Sequence, residues 1–204
     1  MDVEVRELRS GELPAAVELV ARGMRDNPLN VEAMGSDEER RLFRLRKMFK
    51  ASLPNTARKG MLVGAFDDRR LVGVLAFVPP GKCQTTLGEK ISLAARMLPG
   101  VGPGSLERIR RWQEDWTKHD FAGSHWHLGP VAVDPELQGR RIGSKMMANC
   151  CSRLDTAQAA AYLETDKVDN IRFYQKFGFA TIAEDKVLGV PNWFMLRSTR
   201  LGWC

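Results

Sequence analysis

The sequence predicts a mixed α/β protein, a sheet with helices packed on it, and three observations carry that prediction. Residues 61–66 and 71–78 are two apolar runs around the polar turn Asp67-Asp68-Arg69-Arg70, the pattern of a β-hairpin. From Trp126 onward, extended and helical patterns alternate in the order strand, loop, helix, strand, helix, strand. The chain has 204 residues, 44% apolar and 27% charged, enough to bury one real core, or one core plus a sizeable insertion.

Taken in order, Val3, Val5 and Leu8 mark a short first strand. Ser10 is expected to cap a helix that carries Val17, Leu19, Val20 and Met24. Ser36 with Glu39 fits a capping box. Leu42, Phe43, Leu45, Met48 and Phe49 follow at helical spacing until Pro54 and Asn55 end that helix. The hairpin comes next, stopped by Pro79-Pro80-Gly81. Residues 82–123 are an insertion within a single domain spanning 1–204. It holds a helix at 91–97, a Pro/Gly break at 99–104, and a second helix at 106–118 with Trp112 and Trp116 on one face. A strand at 127–133 ends at Asp134-Pro135 and opens a basic, Gly-containing loop at 138–143. A helix at 144–154, a strand at 161–165, a short helix at 170–176 closed by Gly178, and strands at 179–187 and 193–197 complete the chain.

Composition narrows the function. The net charge of +6 suits either nucleic acid or a small polyanionic cofactor and does not choose between them. Arg40, Arg41, Arg44, Arg46, Lys47 and Lys50 supply much of the excess, read here as the solvated face of an amphipathic helix. No nucleic-acid-binding motif accompanies them, so no nucleic-acid partner is expected. No apolar run approaches the roughly 20 residues that span a bilayer, and the N-terminus lacks a secretory pattern. Cys83, Cys150, Cys151 and Cys204 form no CxxC pair, which suggests neither a zinc site nor a disulfide framework. These readings point to a cytoplasmic protein with no metal and no membrane contact.

The chemistry concentrates in residues 128–144, Leu-Gly-Pro-Val-Ala-Val-Asp-Pro-Glu-Leu-Gln-Gly-Arg-Arg-Ile-Gly-Ser. Here a strand runs into a loop that starts a helix. Main-chain N–H groups in such a loop, with the positive end of the helix dipole, hold phosphate oxygens. Neither a Walker loop nor GxGxxG is present. Downstream, Leu163-Glu164-Thr165 is followed by Asn170-Ile171-Arg172-Phe173-Tyr174 and a Gly178-Phe179 closure.

These two linked motifs resemble those of the GNAT superfamily of acyl-CoA-dependent N-acyltransferases, over residues 126–198 in detail and the first 80 in outline. Within it the chain is similar to the puromycin N-acetyltransferase-like members, through 163–165, the Phe173-Tyr174 pair and a last strand with Trp193 and Met195. The resemblance implies a GNAT-type mixed, mostly antiparallel central sheet with helices on both faces. It implies acetyl-CoA as cosubstrate and direct acetyl transfer to a primary amine, of a small molecule or alternatively of a protein lysine or N-terminus. A coenzyme A-binding module without turnover is the third reading. A monomer or homodimer is expected.

The same resemblance distributes roles. Val131, Ala132 and Val133 lie along the pantetheine arm, and the Val133 N–H stabilises the carbonyl oxygen. Gln138, Gly139, Arg140, Arg141, Ile142, Gly143 and Ser144 take the pyrophosphate. Phe173 lies at the cofactor. Asn170 either bonds the pantetheine or caps its helix. Tyr174 is the acid for the leaving thiolate, because a phenol of pKa about 10 keeps its proton at neutral pH. Glu164 is either the general base, through water, or half of a salt bridge to an Arg or Lys. Arg141 stands where the family has a glycine, so it either adopts a strained positive φ or turns helical and offers its guanidinium to a phosphate. His125 and His127 share a strand face; metal binding would need more ligands at suitable spacing, so they read as packing or surface histidines, one of which could still assist deprotonation. Trp112, Trp116 and Trp126 either line an acceptor pocket or, for at least two of them, pack in the core.

Overall fold

A computed structural model describes residues 2–199 of the chain; Cys204 lies outside them. The apolar alternation of the hairpin builds β2 (Met61–Asp67) and β3 (Arg70–Val78), the centre of one side of the sheet. With β1 (Glu4–Glu7), β4 (Trp126–Val133), β5 (Ala161–Thr165), β6 (Ala180–Val187) and β7 (Val190–Arg197) they form seven strands in the order β1-β2-β3-β4-β5-β7-β6. Every neighbouring pair is antiparallel except β4–β5, which is parallel. The helices are α1 (Leu13–Gly23), α2 (Pro28–Met34), α3 (Glu38–Lys59), α4 (Leu87–Val101), α5 (Pro103–His119), α6 (Ile142–Thr156) and α7 (Val168–Gln175).

Both faces of the sheet are covered, as the resemblance implies. On one face Leu75, Phe77, Leu128, Leu163 and Met195 pack under Ile142, Met146, Met147, Cys150 and Leu154 of α6. On the other, Val74, Ala76 and Ala132 meet Leu19 and Val20 of α1 and Leu45 and Phe49 of α3. Gly73 lets α6 come close: a Cβ there would lie 2.8 Å from the Met146 methyl.

Helix boundaries differ from the sequence expectations for local reasons. Ser10 does not cap α1. It opens a short 3-10 turn in which the Glu12 carboxylate reaches back to the Arg9 amide at 2.7 Å. Asp37, not Ser36, caps α3, accepting from the Arg40 N–H at 2.7 Å, since a carboxylate suits the positive helix end better than a hydroxyl. Pro54 does not end α3, which runs on to Lys59. Leu53 and Asn55 remain on its buried face, and that packing offsets the lost backbone bond. The expected 99–104 break is likewise only Gly102, at φ 81°, with Pro99 inside the last turn of α4. α6 begins at Ile142 rather than Ser144, and α7 at Val168 rather than Asn170. β7 starts three residues earlier than expected, with Pro191 paired to β6 only and β5 engaging first at Trp193. α2 escapes the sequence pattern altogether.

The arginine-rich stretch is also not merely a solvated face. Arg41 is 3% exposed and donates to the carbonyls of Arg25, Gly35 and Ser36 and to Asp26, tying α3 to the α1–α2 connection. Arg46 grips Glu18 of α1 through two 2.7 Å bonds. Among the described residues no helix is long and apolar enough to cross a membrane.

Candidate active site

β4 and β5 pair only at Trp126–Ala161 and His127–Tyr162, then part. An extra residue in β4 shifts its register against β3 between Leu75 and Phe77, re-aiming the rest of the strand. The Asp134 N–H donates to the Val72 carbonyl at 2.9 Å. Alternation along an antiparallel ladder therefore turns the N–H groups of Val131 and Val133 away from β3, into the gap that β5 has left. Two cavities open on that gap.

The first, of about 380 Å³, is lined by Val131, Ala132 and Val133 of β4, by Gln138, Gly139, Arg141, Ile142, Gly143 and Ser144, and by Lys167, Asn170, Phe173 and Tyr174. Eleven of the twelve expected cofactor contacts thus share one cavity. Arg140 is the exception and points to solvent, outside the lining. The loop turns through Gly139 at φ 78°, a conformation glycine adopts freely. Arg141 precedes α6 at φ 63° and ψ 14°, so the strained left-handed alternative is the one adopted. The first intrahelical bond of α6 is Lys145 N–H to Arg141 C=O, which leaves the amides of Ile142, Gly143 and Ser144 outside the helix ladder. Amide donors, a helix N-terminus and the cations Arg141 and Lys167 together suit a diphosphate. The loop is held at its root by Asp134, fully buried, which accepts from Arg70 at 2.8 Å and Arg22 at 3.1 Å. Burial disfavours the Asp134 charge, yet those two arginines and the Glu136 amide hold its carboxyl below the usual range.

The sequence profile of the acetyltransferase (GNAT) family matches residues 28–179. The chain belongs to the GNAT family. Acetyl-coenzyme A is that family's cosubstrate. Solved structures of the same fold include a histone acetyltransferase HPA2-related protein from Corynebacterium glutamicum, with TM-score 0.77, 18% identity and 100% of both chains covered. PaiA N-acetyltransferase from Thermoplasma acidophilum, solved with coenzyme A, matches with TM-score 0.62 and 15% identity over 97% of this chain and 99% of that one. Drosophila melanogaster polyamine N-acetyltransferase matches with TM-score 0.64 and 16% identity over 97% and 100%.

In this acetyltransferase the second cavity, of about 310 Å³, abuts the first, and Asn27, Val131, Asn170 and Tyr174 line both. Its walls are largely apolar, from Met24, Leu29, Phe49, Leu93, Met97 and Ile109, with Trp112 and Trp116 packed edge-to-face at 5.0 Å. Two of the three tryptophans singled out in the sequence therefore line a pocket. Trp126 instead packs on Phe77 across the sheet. The polar end of the cavity holds His127, Glu164, Asp166 and Asn170.

Among the described residues Glu164 pairs with neither Arg nor Lys: its carboxylate, 4% exposed, lies 3.1 Å from His127 Nε2. Burial works against a charge on His127, but the Glu164 carboxylate outweighs it and raises the imidazole pKa. Tyr174 is buried, which pushes its phenol above its ordinary value, with Asp166 adding to the effect. Asn170 does not cap α7, since Lys167 occupies the cap position; its amide donates to Thr165 Oγ at 3.0 Å. Burial pushes the Cys150 thiol up to about 12, and Cys151 is raised in the same way, so neither is a nucleophile at neutral pH.

Sequence reasoning missed Asp166. This half-buried carboxylate accepts from the Leu29 N–H at 2.8 Å and so holds the start of α2 over the cavity. The one local signal was Asn27-Pro28, a helix-starting pair.

Proposed function

We propose that this acetyltransferase moves the acetyl group of acetyl-CoA directly to a primary amine of a small molecule with a bulky apolar body. The observation that carries the proposal is the meeting of the two cavities at Tyr174, with Glu164 and His127 on the acceptor side. The donor would lie along β4 and over the 138–144 loop. The acceptor amine would lose its proton through Glu164, by way of water, with His127 sharing the charge. The free Val133 N–H would stabilise the oxygen of the carbonyl under attack, and Tyr174 would donate to the departing sulfur. The eleven residues that line the first cavity as cofactor contacts, and Tyr174 and Glu164 as catalytic residues, belong to this proposal; Arg140, which faces solvent, does not.

The pocket favours a small molecule over a protein lysine because it is enclosed by α4 and α5, which fill the 82–123 insertion. Among the described residues no Lys or Arg lines it, while two carboxylates do, which suits a cationic amine. The likeness to puromycin N-acetyltransferase-like members and the polyamine acceptor named for the Drosophila relative both agree with a small amine. The tryptophan-lined wall points to the bulkier, apolar kind. A single cytoplasmic domain, as monomer or homodimer and without a nucleic-acid partner, is part of the same reading.

The test is thiol release from acetyl-CoA across a panel of amines, with Tyr174→Phe as control. The variant should lose roughly 10²-fold or more in kcat with little change in acetyl-CoA affinity. Equal turnover would remove the acid assignment. Preference for histone or ribosomal peptides over every small amine would remove the acceptor assignment.

A further inference from the structure

The two ends of the 82–123 segment meet beside the active site. Cys83 lies between β3 and α4, Asp120 directly follows α5, and His125 directly precedes β4. The donor atoms of these three side chains lie within 4.8 Å of one another. Cysteine and aspartate also line a shallow cavity shared with His127 and Glu164.

The histidine carries the decisive detail. Its ring is 6% exposed, and Nδ1 lies 2.8 Å from the Gly123 carbonyl, which can only accept, so Nδ1 carries a proton. In the neutral ring Nε2 then presents a bare lone pair. That lone pair faces Asp120 Oδ1 at 3.2 Å, acceptor against acceptor. A second ring proton would reconcile them only through an aligned hydrogen bond, and both atoms are buried without one. A cation between them, with the cysteine sulfur as third donor, satisfies both. Each carries the outer contact that orients a metal ligand: the Gly123 carbonyl on the histidine, and the Gln84 amide donating to the other oxygen of Asp120.

We infer that Cys83, Asp120 and His125 form a zinc-type site that clips the start of the α4–α5 segment to its end. Nitrogen, sulfur and oxygen donors suit Zn²⁺, and three protein ligands leave the fourth tetrahedral position to water. Binding releases the thiol proton to solvent. A clip across the base of this segment sets the spacing of the helices that carry Leu93, Met97, Trp112 and Trp116 into the acceptor cavity. The sequence shows no such site because its donors sit at opposite ends of a long excursion and meet only in the fold.

The experiment uses the full chain without a histidine tag, stripped with chelator and titrated with ZnCl₂ by calorimetry and with CoCl₂ by absorption. One equivalent of metal is expected, with a thiolate-to-cobalt charge-transfer band and a zinc-dependent rise in Tm. Cys83→Ser, at a half-buried position, should abolish the charge-transfer band and the Tm rise while leaving the circular dichroism unchanged. Gln84→Ala should weaken zinc roughly 10–100-fold. Absence of stoichiometric binding by the folded wild type would overturn the site. So would a cobalt spectrum that Cys83→Ser leaves intact.

Discussion

Arg141 holds its left-handed backbone without a glycine's freedom, and it lines the cavity proposed for the cofactor. Two effects therefore oppose each other at one residue. Arg141→Gly relieves roughly 1 kcal/mol of steric cost, which should raise Tm by about 2–4 °C in a chain of this size. It also removes a cation from the proposed diphosphate cradle, so the KM for acetyl-CoA should rise several-fold with kcat little changed. Thermal melts and steady-state kinetics read the two effects separately. His127 governs the pH dependence of the proposed deprotonation. Its pKa is raised above 6.5, so the His127–Glu164 pair holds a proton, and is a poor base, below that raised value. The acid limb of kcat/KM should accordingly lie above pH 6.5, and His127→Gln should displace it. A wild-type limb near the usual carboxylate range, unmoved by the substitution, would show that the pair does not govern deprotonation.

At the scale of elements, the junction of β4 with the 138–144 loop depends on one carboxylate. Asp134 draws α1, β3 and the loop together through Arg22, Arg70 and the Glu136 amide. Asp134→Asn keeps the shape and removes the charge. The freed arginines are 36% and 56% exposed and can rehydrate, which places the loss at the lower end of the range for a buried charged group, about 1–2 kcal/mol. A lowered Tm together with a larger change in the KM for acetyl-CoA than in kcat would mark this residue as one that positions the loop. The β4–β5 splay and the α2 start behave alike: each is made by partners far apart in sequence, Leu29 with Asp166 and Val72 with Asp134.

Across the whole molecule, acid should unfold the protein through its paired carboxylates. The side chain of Arg6 and the Arg9 amide lower Glu12 from 4.5 to about 2, and Lys59 with the Thr86 amide does the same for Glu89. Glu18, Asp26 and Asp134 are also lowered. A carboxyl whose folded pKa is depressed contributes stability that is complete above its unfolded value and lost as pH falls towards the folded one. Tm should therefore drop steadily between pH 4.5 and about 2, and Glu12→Gln with Glu89→Gln should flatten that fall. Asp166, raised by burial, works in the opposite sense. A melting temperature flat through that interval would mean these pairs exist equally in the unfolded chain.

Much of the fold was legible because its signals are local. Apolar alternation marked the hairpin of β2 and β3, helical spacing marked α3 and α5, and residues 128–144 and 163–179 carried the family's two motifs in order. Elements whose cause is distant were not legible. α2 is seven residues whose first free amide is satisfied by Asp166 of another element. α3 passes Pro54 because packing offsets a bond that the local pattern counts as lost. Glu164 looked like a base or a salt-bridge partner, and only the pairing of His127 with Tyr162 brings the imidazole to its carboxylate. By itself, then, the sequence determined the sheet-and-helix class, the strand–loop–helix at 128–144 and the family, because each depends on residues close together along the chain. Only the tertiary structure decided which partners the buried charges take and how α4 and α5 close the cavity proposed for the acceptor, because each requires groups from separate elements to be brought out of water together; it also chose between the two backbone conformations open to Arg141.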